Sequence, residues 1–498
     1  VDAPAGTPLA TALRAVGLPV ELAPRLEVDG EPGVPAPRLA VEEVGVACVG
    51  AALLAAARLH EARAGEWLAP GLDRGCVRAS LVSERLFTVD GIPPPAGFAP
   101  QSRFRQAADG WVRTHANFPW HHEALLRGVG AADDEALAAA IAALPAAEVE
   151  DSVFEAGGVA AAVRTPAAWH AHAQGAAVAT EPLVERTVLG DAAPRPVDDR
   201  GRPGAVAPRC DLSVHATGFS HRERSDPAPA AGVRVLDFTR VIAGPVCSRF
   251  LGALGADVLR LDLPALPDGE SGAAADTLLG KRSAFLDLRS ESGARTLDAL
   301  LDDADVVLLG YRPGALARFG LVPEELAARH PGLVVMELAA WGHSGPWSGR
   351  RGFDSIVQAA SGIATVEAGS HGRPGALPCQ LLDHGTGYLA AAAVLVALTE
   401  QREGGGNHLR RLSLARTAHW LLGEGEGDPA DAGPGGRASH PLWHEDGAAF
   451  VVAVDGDPTL AAVPPAGALG GVPLRWRGPA TRYGSADPAW LAPPVRGG

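Results

Sequence analysis

The 498-residue chain has little of several things that would assign it to common protein classes. Its five cysteines, Cys48, Cys76, Cys210, Cys247 and Cys379, are scattered, odd in number and without CxxC spacing. That pattern disfavours a secreted disulfide framework and a thiolate metal site, and reads as a cytoplasmic chain. It has no Lys/Arg-rich run, and its formal net charge is -15. Nucleic acid is therefore not an expected partner, because the phosphate-neutralising footprint is missing. The longest apolar runs, VGVACVGAALLAAA and YLAAAAVLVAL, fall short of the roughly 18 residues that mark a membrane span. Both read as buried helices, and no membrane is expected. No basic segment followed by an apolar one opens the chain, which starts at Val1 rather than Met.

Familiar site signatures are missing too. The turn after VRVLDF reads TRVIAGP, without the GxGxxG spacing that brings a dinucleotide pyrophosphate onto the backbone. GKRS at 280–283 resembles a nucleotide-triphosphate loop, but Arg282 follows the lysine and Ala275 stands where the first glycine would be. HHEALL (121–126) lacks HExxH zinc spacing, and GHSGP (342–346) breaks the GxSxG elbow at its last position. The histidine clusters HANFPWHH and WHAH hold no complete ligand set, so no metal is expected.

What is present is enough apolar material, 47% of residues, for one large core or two to three ordinary domains. Residues 186–231, with prolines at 194, 196, 203, 208, 227 and 229, read as an exposed linker, and GEGEGDPADAGPGG (423–436) marks off a short C-terminal segment. Between them strand and helix signals alternate. VRVLDF (233–238), DVLRLD (257–262), SAFLDL (283–288), DVVLLG (305–310) and LVVMELAA (333–340) read as strands. GPVCSRFLGALG (244–255), SESGARTLDALLDDA (290–304) and PEELAARH (323–330) read as helices. The alternation predicts an α/β fold with a parallel sheet and helices on both faces. The strand ends RVIAGP, LPALPDG, RSES, GYRPGAL and WGHSGPW are rich in Gly, Pro and Arg, as a phosphate-bearing ligand requires.

Five pieces stand in one order: VRVLDFTRVIAGPVCSRFLGALGADVLRLD, GKRSAFLDL, ADVVLLGYRPGALARFGL, GPWSGRRGFDSIVQAASGI and LDHGTGYLAAAAVLVAL. Over about 233–420 they resemble the family III coenzyme A transferases of the CaiB/BaiF type. The resemblance implies a Rossmann-like large domain, a smaller α/β domain, and an acyl-CoA thioester and a carboxylic acid as substrates, with no tightly bound cofactor. It also implies an active-site carboxylate at Asp383. Family positions bordering CoA fall on Ile242, Ala243, Leu286, Asp287, Leu288, Arg289, Gly310, Tyr311, Arg312, Arg318 and Arg351. Their chemistry suits the role: arginines can pair with phosphates as forks, and Tyr311 offers a face to adenine.

The residues around Asp383 allow two readings. Placed just before a helix, its carboxylate would be favoured by the free N–H groups and the helix dipole, as a nucleophile requires. It could equally be an N-cap and nothing more. The family register favours the nucleophile. Backbone N–H groups of the Gly-rich segment 385–387, or of a glycine loop elsewhere, are candidate donors to the oxyanion. Relatives that are racemases carry a histidine in the segment matching GFD (352–354); here Phe353 stands there, which favours transfer over isomerisation, although His343 or His384 could substitute in space. A catalytically inactive CoA-binding subunit is the third alternative.

The first half departs from the family arrangement. VEEVGVACVGAALLAAARL (41–59) looks like a weaker copy of the Asp383 segment, and with Gly45 set opposite Gly387 it carries Val41 in the nucleophile position. Glu42 and Glu43 read as structural helix-start acids. FTVDG, ADGWVRTHANFPWHHEALLRGVG and TPAAWHAHAQGAAVATEPL resemble parts of the family's small domain. The expected organisation is a degenerate unit at 1–85, a small domain at 86–185, the linker at 186–231, a Rossmann-like catalytic domain at 232–422 and a short segment at 423–498. Two incomplete units fused in this way admit either a monomer with an internal pseudo-dimer or a homodimer.

Overall fold

In the computed structural model, residues 6–33, 38–93, 97–195, 226–264, 274–369, 372–424, 447–479 and 481–491 are described. Most of the linker (196–225) and most of the 423–436 stretch lie outside them. The alternating segments build one seven-stranded sheet, with strands in the order Arg282–Phe285, Asp257–Asp262, Arg234–Phe238, Val306–Leu309, Val334–Ala339, Asn407–Ser413 and Glu185–Gly190. The first six are mutually parallel and Glu185–Gly190 runs antiparallel at the edge. Residues 186–190, read as the start of the linker, are therefore sheet. Their alternation of half-buried and exposed side chains is that of an edge strand with one covered face.

Numbered along the chain, the parallel strands lie in the order 3-2-1-4-5-6. Order reverses between Arg234–Phe238 and Val306–Leu309, and the loops leaving those two strands diverge to open a crevice at the carboxyl edge. The first of these loops is pinned from below. Asp237 accepts hydrogen bonds from Thr239 N–H at 2.9 Å and from Ser248 Oγ at 2.5 Å. Lys281 Nζ lies 3.2 Å from the same carboxylate and donates to Ser248 Oγ at 2.8 Å. Lys281 is the chain's single lysine and lies wholly inside. Burial pushes its amine down to about 8, with Asp237 partly offsetting that shift. The third strand ends at Phe285 rather than Leu288, because the Ser290 N–H returns to the Asp287 carbonyl and Ser290 then caps the helix Glu291–Asp303. Leu286 and Leu288 point into the core on that side of the sheet.

The helix Leu381–Gly404 runs through the middle of the molecule with nearly every side chain buried. A helix that is apolar all round must be covered on all sides. By length and composition it could cross a membrane, contrary to the shorter apolar run read from the sequence, yet its apolar stretch is enclosed by protein. It packs against Val41–Ala64, also 24 residues long, and against Ala243–Ala253. A Cβ at Gly387 would sit 2.4 Å from the Ala243 carbonyl oxygen. Glycine there lets the two helices touch backbone to backbone, which brings the start of the Leu381 helix up to the crevice. Truncating a buried leucine of this helix, such as Leu395, to alanine is expected to cost about 2–5 kcal/mol.

The first half is woven into this frame. Strands Phe104–Gln106, Trp111–Thr114 and Ala160–Ala162 form an antiparallel sheet backed by the helices Pro119–Val129 and Ala146–Glu155. The C-terminal segment completes two small sheets begun near the N-terminus: Leu460–Ala462 pairs with Thr88–Val89, and Ala468–Leu469 with Pro70–Asp73. Glu42 is buried and accepts from Gly33 N–H at 2.8 Å, Arg74 at 3.0 Å and Arg78 at 3.3 Å, whereas Glu43 faces solvent.

Candidate active site

The crevice holds a cavity of about 350 Å3. Its floor comes from the loops leaving the two central strands, through Arg240, Val241 and Ala243 on one side and Gly310, Tyr311 and Arg312 on the other. Val241 adopts φ +69°, a left-handed backbone that a β-branched residue rarely takes and that the surrounding packing must enforce. Arg318, Arg350, Arg351 and Phe353 form a second wall, and Phe118, Trp120 and His121 close the cavity from the first half of the chain. Asp383 is the one acid among these lining residues, against the five arginines Arg240, Arg312, Arg318, Arg350 and Arg351. On a chain of charge -15, such a lining concentrates positive potential where an anionic ligand would lie.

Asp383 lies within the first turn of its helix, not before it, and the N-cap position is Gln380. The capping task falls to Asp354. Its Oδ2 accepts the Asp383 backbone N–H at 3.0 Å, and it also accepts the N–H of Leu382. No hydrogen bond among the described residues ends on the Asp383 carboxylate, which is 6% exposed and borders the cavity. Burial, then the nearby acids Asp354 and Glu84, hold its pKa well above the usual carboxylate range. Burial likewise raises Asp354 to about 7, although the hydrogen bonds it accepts pull the other way. Glu84 behaves oppositely: burial would raise it, but the His384 ring at 3.0 Å and the charges of His384 and Arg85 bring it down to about 2.

Of the twelve residues nominated from the sequence, the structure gathers Ala243, Gly310, Tyr311, Arg312, Arg318, Arg351 and Asp383 around one cavity. Ile242 is buried at the N-cap of the Ala243 helix, beside two lining residues but not lining itself. Leu286, Asp287, Leu288 and Arg289 lie at the carboxyl end of the third strand, outside the cavity lining; the two leucines are in the core, and Asp287 pairs with Arg289 at 2.9 Å. Backbone donors from 385–387 are not available, because these residues are inside the helix and their N–H groups are committed to carbonyls one turn back. Neither His343 nor His384 lines the cavity: the first lies against the Leu412 carbonyl and the second against Glu84.

The sequence reading missed Phe118, Trp120 and His121 as lining residues. The cluster HANFPWHH was visible, but nothing local in it tells that it folds over a loop more than a hundred residues away. Phe353, in the place of the racemase histidine, stacks on His115 with ring centroids 3.7 Å apart. Among the described residues no group of three or more His, Cys, Asp or Glu side chains is arranged to hold a metal ion.

Comparison with known proteins points the same way as the motifs. Residues 231–443 match the model of CoA-transferase family III. A probable fatty acyl-CoA transferase of Mycobacterium tuberculosis is 36% identical over 197 residues, 36% of this chain and 49% of that protein. The beta subunit of a succinyl-CoA–L-malate CoA-transferase of Chloroflexus aurantiacus is 36% identical over 190 residues, 36% of this chain and 47% of that protein. A solved structure of a CAIB/BAIF family protein from Brucella suis aligns at 27% identity with a TM-score of 0.37, covering 40% of this chain and 56% of that one. The chain spans about half the length of the curated relatives it matches.

Proposed function

We propose that this chain moves coenzyme A from an acyl-CoA thioester to a carboxylic acid, with Asp383 as the nucleophile. The observation that carries this reading is the placement of a single buried carboxylate in an arginine-lined cavity at the topological switch of a parallel sheet. The arginines suit the phosphates and the acceptor carboxylate. The family match and the named transferases among the relatives support the reaction class.

The chemistry is stepwise. An Asp383 carboxylate oxygen adds to the thioester carbonyl carbon, the C–S bond breaks, and CoA leaves as a thiolate from a mixed anhydride. The thiolate then attacks the aspartyl carbonyl, releasing the first carboxylic acid and leaving an aspartyl-CoA thioester. The acceptor carboxylate attacks that thioester, forms a second anhydride and frees the thiolate, which takes the new acyl group and regenerates Asp383. Burial serves this sequence by making the carboxylate, once ionised, more basic than one in water and so a stronger nucleophile. Leu263, which follows the second strand, lines the cavity, and the Leu286 N–H bonds to the neighbouring Asp262 carbonyl at 3.0 Å. On this reading the nucleotide end lies along that edge.

The first half supplies Glu84, Phe118, Trp120 and His121 to the surroundings of Asp383. We therefore read one chain as building one site from two incomplete units. The test of the reaction is single-turnover labelling. Incubation with acetyl-, succinyl- and benzoyl-CoA should give, for at least one donor, an acyl or CoA adduct in intact mass, located by peptide mapping to Asp383. No adduct with any of the three would sink the transfer reading.

A further inference from the structure

The stepwise reaction places negative charge on the thioester oxygen, and a water-poor site needs a donor aimed at that oxygen. The N–H groups of 385–387 are spent within the helix, and those of Leu382 and Asp383 are spent on Asp354. The donor must come from another wall.

His121 stands at the start of the helix Pro119–Val129, is 4% exposed and lines the same cavity as Asp383. Its ring is fixed edge-to-face by Phe118 at 5.4 Å and by Phe353 at 5.8 Å, with Trp120 at 5.9 Å. Phe353 directly precedes Asp354, which holds the Asp383 backbone, so two consecutive residues brace the histidine and the nucleophile. The Nδ1 of His121 is buried without a hydrogen-bond partner. That nitrogen is enclosed by protein, so Nε2 is the ring atom left to meet a ligand in the cavity that His121 lines. Burial first, then the neighbouring charges of Arg351 and Arg240, bring this histidine down to about 4. At neutral pH its ring is therefore uncharged, with one N–H and one lone pair. A histidinium would pair with the Asp383 carboxylate and quench it; the neutral ring does not.

We propose that His121 donates a hydrogen bond to the carbonyl oxygen of the acyl-CoA thioester and holds the oxyanion formed when Asp383 attacks. This role rests on the transfer reading above. As the Asp383 oxygen bonds to the carbonyl carbon, the C=O electron pair moves onto oxygen and the hydrogen bond tightens, the proton staying on the imidazole. When the C–S bond breaks, that pair returns and CoA departs as the thiolate.

The test compares wild type, His121→Phe and His121→Gln in single-turnover adduct formation with acetyl-, succinyl- and benzoyl-CoA. His121→Phe should form adduct about 100-fold more slowly, the loss that follows removal of one oxyanion donor, with affinity for free CoA unchanged. His121→Gln, which keeps an N–H donor, should recover part of that loss. A second readout is the 13C resonance of acyl-CoA labelled at the carbonyl and bound to Asp383→Asn. It should lie downfield of the free thioester and lose that displacement in Asp383→Asn/His121→Phe. If His121→Phe forms adduct at the wild-type rate, the role is overturned while the transfer reading stands. If wild type forms no adduct, both fall. If His121→Phe melts early, the carbonyl resonance decides, and a displacement that survives in the double variant overturns the role.

Discussion

Asp354 Oδ2 accepts the backbone N–H of Asp383 at 3.0 Å, so an acid from a neighbouring helix caps the Leu381 helix while the acid in its first turn borders the cavity. The pair shares a buried site with Glu84, and like charges in such a place resist ionising together. Both Asp354 and Asp383 are shifted upward, so the folded state binds protons there that the unfolded chain would release. Their contribution to stability is full below the unfolded carboxylate pKa and fades as pH rises through the folded values. On the proposed mechanism Asp383 attacks as the carboxylate, and that form appears only over the upper part of that range. Transfer should therefore show an acid limb well above pH 4. Asp354→Asn removes the charge that opposes ionisation and should move the limb to lower pH, and it should flatten the fall in stability between pH 4 and 7. A single titrating acid can contribute a slope of at most about 1.4 kcal/mol per pH unit to that fall. A pH–rate profile of both proteins, with denaturant melts at three pH values, checks both signs; an unmoved limb would remove Asp354 from the account.

Because Asp354 carries the cap, Asp383→Asn loses no capping bond and exchanges a repelled acid for a neutral amide. It should fold and melt no lower than wild type, bind CoA, and lose turnover by at least about 1000-fold, since a residue that forms the covalent intermediate cannot be bypassed. Near-wild-type transfer by this variant would return Asp383 to a structural role.

Arg312, Arg318 and Arg351 face the cavity, and Arg312 and Arg318 are exposed at its rim. Replacing any one by alanine should weaken acyl-CoA binding by about 1–3 kcal/mol, the range for a charged hydrogen bond, and leave the melting temperature nearly unchanged. Calorimetric titration of the three variants measures this; unchanged affinity in all of them would count against a phosphate role for this wall.

Glu42 and Glu43 should separate cleanly. Glu42→Ala leaves Arg74 and Arg78 without their buried partner and should cost about 3 kcal/mol. Glu43→Gln, on an exposed position, should be silent in both stability and transfer. Urea melts of the two variants settle which acid belongs to the frame.

The strands were legible because their apolar runs are short, β-branched and bounded by turn residues, and five of the six parallel strands appeared in the sequence with nearly their final bounds. Asn407–Ser413 was not anticipated: NHLRRLS reads as polar, and its arginines find partners only in the folded state, Arg410 with Glu400 and Arg411 with Glu337. The start of the Leu381 helix was displaced for a related reason. QLLDHGTG is too polar and glycine-rich to look helical, but Asp354, Glu84 and the Ala243 helix supply from outside the partners and the close contact that it needs. That displacement also affected the comparison with the Val41 helix. Counted from the two helix starts, the residue opposite Asp383 is Glu43 rather than Val41, and it faces solvent. The resemblance pointed to Asp383 and the central loops, which line one cavity, whereas the aromatic and histidine wall is a tertiary contact with no periodicity or spacing to announce it.

The chain's only lysine lies wholly buried beneath the first loop of the site, locked to Asp237 and Ser248. In the native state an amine-directed reagent therefore finds no lysine side chain in solvent. Modification at Lys281 requires the central strand and the Ala243 helix to part, and its rate under excess reagent reports the free energy of that opening. One mass-labelled peptide would thus read out the integrity of the crevice, and any ligand that closes the cavity should slow the labelling in proportion to its binding.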